Sequence, residues 1–107
     1  MPMINIEYDG VKVKKEEVRE LSKSIQKIVS EATQIKDVFV YTNSLEITVK
    51  IAPIEIFVRM SDTKITNADQ LFQDIKSKLS AWKKESNFKH PINLTLIPMK
   101  WKFETGL

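Results

Sequence analysis

The sequence predicts an α+β fold in which two amphipathic helices lie on one face of a mixed four-stranded sheet, and three patterns carry that expectation. Short segments alternate apolar and polar residues with the two-residue period of a half-buried strand. Two longer segments repeat their apolar residues at helical spacing, and the order of segments is β-α-β in each half of the chain, as if one unit were duplicated. With 107 residues, 42% of them hydrophobic, there is material for one modest core and not for two, so residues 1–107 are expected to form a single domain.

Met3 to Tyr8 alternates as a strand, and Asp9-Gly10 offers a turn before the period changes. From Lys14 to Thr33, Val18, Leu21, Ile25, Ile28, Val29 and Ala32 fall on one helical stripe, opposed by Glu16, Glu17, Glu20, Lys23 and Lys27. Such a helix needs a surface to cover. Asp37 to Thr42 holds the β-branched and aromatic run Val38-Phe39-Val40-Tyr41, which suits a strand, and Asn43-Ser44 is expected to break it. Leu45 to Ile51 alternates again, Ala52-Pro53 interrupts, and Ile54 to Met60 resumes with Ile54, Ile56, Val58 and Met60 on one face. Thr66 or Asn67 is placed to cap a second helix with the stripe Ala68, Leu71, Phe72, Ile75, Leu79 and Trp82, ending near Lys84. After a loop over Glu85 to Pro91, Ile92 to Ile97 reads as the last strand, with Pro98 stopping it or turning it onto a tail that carries Trp101 and Phe103.

A helix within each crossover implies parallel strands and right-handed connections inside each half. The face left uncovered by helices then carries Met3, Asn5, Glu7, Glu55, Phe57, Arg59, Asn93, Thr95 and Ile97. So mixed a surface is either wet or shared with another subunit, and the expectation is a homo-oligomer.

Composition excludes several chemistries. There is no cysteine, hence no disulfide framework, thiolate metal site or cysteine nucleophile. His90 is the sole histidine, too few for a serine triad or a multi-histidine metal site in one chain, so no metal or other cofactor is expected. Gly10 and Gly106, the two glycines, do not form a phosphate-cradling loop. No charged leader or long apolar run is present, so a cytoplasmic, membrane-free protein is expected, and a net charge of +3 does not demand a polyanionic partner.

What remains is Pro2, directly behind Met1 and ahead of the first strand. If Met1 is removed, Pro2 presents a secondary amine. A backbone amino group titrates at about 7.7–8.0, and desolvation lowers that further, so a half-buried terminal amine is suited to act as a base near neutrality. The structural alternative is a proline tolerated at a strand start, where its missing donor costs little.

Met1-Pro2-Met3 at the head of a β-α-β…β-α-β chain resembles the tautomerase superfamily, which includes 4-oxalocrotonate tautomerase and macrophage migration inhibitory factor; Pro53-Ile54-Glu55-Ile56 and Ile97-Pro98 add to the likeness to a bacterial branch of it. The resemblance implies a homotrimer with active sites between subunits. It also implies a terminal proline that shuttles a proton between carbon and oxygen of an enolisable keto acid, and nearby cations that hold the substrate carboxylate. On this reading Pro2 is the acid and base, Arg59 and Lys36 are substrate-binding cations, and Trp101 walls the pocket. Val11 and Lys12 follow Gly10 where 4-oxalocrotonate tautomerase has arginine, and lysine lacks the planar fork that grips a carboxylate.

Bland readings stand beside these. Arg59 is equally a solvated strand-end cation, and Lys36 a loop lysine beside Asp37. Glu7 and Glu55 read as exposed sheet-face glutamates, His90 as an ordinary loop residue and Trp82 as part of the second helix's stripe. Trp101 and Phe103, flanked by Lys100 and Lys102, suit a tail docked on its own subunit or a neighbour better than a platform for nucleic acid. Three functions are therefore in view: a tautomerase-like enzyme, a non-catalytic oligomeric or binding protein of the same fold, and, least favoured, a nucleic-acid-binding module.

Overall fold

The structure, a computed structural model, describes residues 1–46 and 49–107. Strand β1 (Met3–Tyr8) leads into helix α1 (Lys15–Thr33) and strand β2 (Phe39–Ser44), and strand β3 (Ile54–Ser61) leads into helix α2 (Ala68–Ser86) and strand β4 (Asn93–Met99). A 3₁₀ turn at Asp62–Lys64 follows β3. The four strands form one sheet in the order β2-β1-β3-β4, parallel within each half and antiparallel where β1 meets β3 at the centre. The α+β class, the mixed sheet and the duplicated β-α-β order are all as the sequence predicts.

Period-two alternation becomes strict burial in the central strands. Ile4, Ile6, Tyr8, Ile54, Ile56, Val58 and Met60 are buried on the helix side, where they meet Val18, Leu21, Ile25 and Val29 of α1 and Leu71, Ile75 and Leu79 of α2. Met3, Asn5, Glu7, Glu55, Phe57 and Arg59 alternate with them on the open face and remain partly exposed. Burial of these branched side chains, at roughly 25 cal/mol per Å² of apolar surface removed from water, is what holds both helices to one face. Ala68, expected on the buried stripe, is the first residue of α2 and is exposed; burial in this helix begins at Leu71.

Helix ends follow local hydrogen bonding. Asn67 caps α2, its Oδ1 accepting from the Gln70 amide at 3.0 Å, and the Glu17 carboxylate accepts from the Lys14 amide at 3.1 Å at the head of α1. Gln34 and Asn87 take left-handed backbone conformations that end the two helices. In the turn after β1, Gly10 lies against the Ser44 side chain, whose hydroxyl would have to rotate away from a Cβ at that position.

Three boundaries differ from the sequence expectation. β2 begins at Phe39 and continues through Asn43-Ser44, which pair with Glu7 and Tyr8; the ladder to β1 overrides their turn preference. Among the described residues of the Leu45–Ile51 segment none joins the sheet, and Val49 is fully exposed; residues 47 and 48 of that expected strand lie outside the described residues. Pro98 does not stop β4 but lies within it opposite Met60. β4 is an edge strand, where a missing donor is tolerated.

Candidate functional site at one end of the sheet

The topology gathers the starts of β1 and β2 and the ends of β3 and β4 at one end of the sheet. Pro2, Lys36, Arg59 and Trp101 all belong to that end, although they are spread from position 2 to position 101 in sequence. The Pro2 ring is buried, and its carbonyl accepts from the Phe39 amide at 3.2 Å, so the ladder between β1 and β2 fixes the backbone just ahead of Met3. Met3 pairs with Arg59. Carrying that register outward sets Pro2 beside Met60 and Met1 beside Ser61.

Alternation decides where the candidate side chains go. Pro2 shares the helix-side face with Ile4 and Met60, whereas Arg59 lies on the open face with Asn5 and Phe57. The Arg59 guanidinium donates to Asn5 Oδ1 at 2.9 Å and lies 5.3 Å from the Phe57 ring centroid, so it leans along the sheet toward its middle and away from the start of β1. Within one protomer the structure does not bring Arg59 and Pro2 together. Lys36 is exposed in the tight turn before β2, where its carbonyl accepts from the Val38 amide at 3.0 Å. It is at the Pro2 end of the sheet and open to solvent.

Trp101 lies just past β4 and lines an open cleft of about 410 Å³ together with Ser61, Asp62, Thr63, Lys100 and Lys102. Its ring meets Phe103 edge-on with centroids 5.9 Å apart, and the Ser61 and Thr63 hydroxyls are hydrogen-bonded at 2.8 Å. The indole Nε1 is buried without a hydrogen-bond partner. Lys100 and Lys102 were set aside as tail residues in the sequence. Their immediate flanking of Trp101 was the available signal, but only the approach of the β3 end to the tail makes a cleft of it.

A larger furrow of about 500 Å³ runs between α2 and β4, lined by Lys76, Leu79, Lys83 and Leu94 among others, and contains none of the candidate residues. At the opposite end of the sheet, His90 Nε2 lies 2.9 Å from Glu17 Oε2 and the His90 ring meets Phe88 edge-on. The Lys14 amide first, and His90 in addition, hold the Glu17 carboxyl below its ordinary value against a smaller opposing effect of burial. Among the described residues no cluster of histidine, aspartate and glutamate is suited to a metal ion, and no helix is long and apolar enough to cross a membrane.

No protein-family model and no curated protein sequence matches the chain. Solved structures do match. MIF2 of Leishmania major superposes with a TM-score of 0.69 at 14% identity, covering 99% of this chain and 95% of that one. A fused 4-OT wild-type asymmetric trimer gives 0.68 at 11% identity, covering 97% and 92%. Pt0534 inactivated by 2-oxo-3-pentynoate gives 0.66 at 12% identity, covering 99% and 93%. These likenesses span the chain end to end, and they show that its fold is the tautomerase fold of those structures.

Proposed function

We propose that this chain, a tautomerase fold with proline behind its first residue, becomes a keto–enol tautomerase of a small keto acid once Met1 is removed. The observation that carries the reading is the seat of Pro2: a buried proline, held by the β1–β2 ladder, at the sheet end where all four strands deliver a terminus. Loss of Met1 turns its amide nitrogen into a secondary amine. Burial opposes protonation of an amine, which suits such a nitrogen to act as a base. In ketonisation, the Pro2 nitrogen accepts the enol O–H proton and returns it to the α-carbon, leaving the enzyme unchanged after each turnover.

Cations near the base stabilise the carboxylate and the charge that develops on the enolate oxygen. Lys36 lies at the Pro2 end on the β2 edge of the sheet, and Trp101 lines a cleft on the β4 edge of the same end. Arg59, turned along the open face, serves a neighbouring protomer's site more readily than its own. A homotrimer of this chain would supply that neighbour, and the matched fused 4-OT structure is described as an asymmetric trimer. A cytoplasmic enzyme needing no cofactor fits the absence of cysteine.

A second reading, a non-catalytic oligomeric or binding protein, is favoured by one observation. A buried proline whose carbonyl completes a ladder is also what a purely structural strand start requires. Ketonisation of phenylenolpyruvate by protein whose mass shows loss of Met1 separates the two. The enzyme reading expects a rate above buffer that Pro2→Ala lowers by about 10²-fold or more; a rate equal to buffer leaves the non-catalytic reading.

A further inference from the structure

The helix layer stops short of β4. Leu94 and Leu96 face the core opposite Ile56 and Val58 of β3, yet they stay half-exposed where those two are completely buried. The furrow of about 500 Å³ between α2 and β4 lies along this strip, with Phe72, Leu79, Ile92 and Leu94 as its apolar lining. A second hollow of about 330 Å³ shares Ser80 and Lys83 with it and continues it to Phe88 beyond the end of α2. Charge divides across the helix. Lys76, Lys83, Lys84 and Lys89 line the two hollows, and among the described residues no carboxylate lines either. On the other flank of α2, Lys27 and Lys78 share their groove with Glu31 and Glu85, and Lys78 is paired with Glu31 at 3.7 Å. Lys83 and Lys84 suit the last turn of α2, where cations complement the helix dipole, but Lys76 in mid-helix and Lys89 beyond the helix gain nothing from it.

We propose that this furrow docks an acidic amphipathic helix of a partner protein, its apolar stripe seated on Phe72, Leu79, Ile92 and Leu94 and its carboxylates set against Lys76 and Lys83. The furrow face of α2 reads Phe72, Lys76, Leu79, Lys83, at i, i+4, i+7 and i+11, so apolar and cationic groups alternate along one stripe about 17 Å long. A helix laid beside it presents anchors at the same spacing, with acidic groups two turns apart to meet lysines about 10.5 Å apart. Its apolar stripe extends the helix layer over the half-exposed side chains of β4. A fatty anion carries one charge and leaves the second lysine unmatched. A nucleic acid meets the lysines but leaves the leucine and isoleucine floor bare, because bases stack on aromatic faces. None of Pro2, Lys36, Arg59 and Trp101 lines the furrow, so the proposal stands apart from the tautomerase reading.

The probe is a synthetic peptide of about 18 residues, or five turns, with leucines at i, i+3, i+4 and i+7 spacing and glutamates flanking the stripe. A peptide of the same composition, reordered to break the stripe, and a single-stranded RNA of similar charge are its references. Titrated into the full chain, the probe should shift the ¹H–¹⁵N resonances of Phe72 to Lys83 and Ile92 to Leu94 saturably and leave those around Pro2 in place. Lys76→Glu/Lys83→Glu should weaken the probe by about tenfold or more, whereas Lys27→Glu/Lys78→Glu, an equal change of net charge on the other flank of α2, should weaken it by less than about threefold. The milder Lys76→Gln/Lys83→Gln pair repeats the test if the reversed pair lowers the urea midpoint. Absence of a saturable shift, equal binding of the reordered peptide, equal loss in the two reversed pairs, or tighter binding of the RNA would each overturn the proposal. Sedimentation of the same variants covers the remaining occupant: self-association that only the furrow pair abolishes would give this face to a second copy of the chain and overturn the proposal as well.

Discussion

Replacing Ile25 with alanine measures how much of the fold rests on α1 covering the helix-side face, and the structure sets the size of the effect. Ile25 is fully buried at the centre of the α1 stripe. Removing about three carbons loses about 2.4 kcal/mol of transfer free energy at ~0.8 kcal/mol per methylene. The cavity left behind adds about 1 kcal/mol where neighbours relax only partly. Alanine's better helix propensity returns about 0.4 kcal/mol, for a net loss of about 3 kcal/mol. Lys23, two residues away, is the matched control, because it points to solvent and its 3.7 Å pair with Glu20 joins two largely exposed side chains. Lys23→Ala should change stability by less than about 0.5 kcal/mol. Urea titrations followed by circular dichroism, at one fixed protein concentration so that self-association does not shift the midpoint, give both numbers. A domain of this size has about 5–15 kcal/mol in total, so Ile25→Ala should lower the melting temperature by about 12–20 °C. A loss below about 1 kcal/mol, or equal losses for the two variants, would refute the placement of this stripe in the core.

Glu17→Gln should destabilise the protein at neutral pH by less than about 1 kcal/mol, the scale of a helix-capping contact. Because the Glu17 carboxyl is held below its ordinary value in the folded state, its contribution is present above the unfolded value and is lost as pH falls through the folded one. The wild-type and Glu17→Gln urea midpoints should therefore converge on acidification, and a gap independent of pH would contradict the assignment. Asn67→Ala should cost about 1 kcal/mol, read by the same unfolding assay, whereas Asn67→Asp should keep most of the cap. Arg59→Gln should lower kcat/KM for a keto acid while leaving the unfolding midpoint within about 1 kcal/mol of wild type, since its bonds to Asn5 and Phe57 lie on the half-exposed face; unchanged kinetics would remove Arg59 from the site.

Strand and helix stripes were legible because burial on one side leaves a period, and Ile4, Ile6, Ile54, Ile56 and Val58 show it without exception. Asn43-Ser44 were misplaced as a break because pairing with β1, which no local pattern reveals, outweighs their turn preference. Pro98 misled in the same way: whether a proline ends a strand depends on whether that strand is at an edge, a property of the whole sheet. The Leu45–Ile51 alternation shows the converse, since at Val49 a period alone, without a partner strand, does not bury a side chain. The proposed site starts from Pro2, whose place directly behind Met1 is chemical information in itself. The opposition of Pro2 and Arg59 also followed from parity. Neither the lean of Arg59 onto Asn5 nor the meeting of the β3 end with Lys100 and Lys102 leaves any trace in spacing, because the first joins neighbouring strands at the antiparallel centre of the sheet and the second follows the parallel ladder of β3 and β4 past Ser61 and Met99.

The account turns on a free, basic Pro2 nitrogen. The most direct measurement treats protein from its native host with 2-oxo-3-pentynoate, an electrophilic 2-oxo acid, and maps the adduct by peptide mass spectrometry. A single adduct on the nitrogen of a peptide that begins at Pro2 is the predicted result. A terminal peptide that still begins at Met1 and carries no adduct would contradict it.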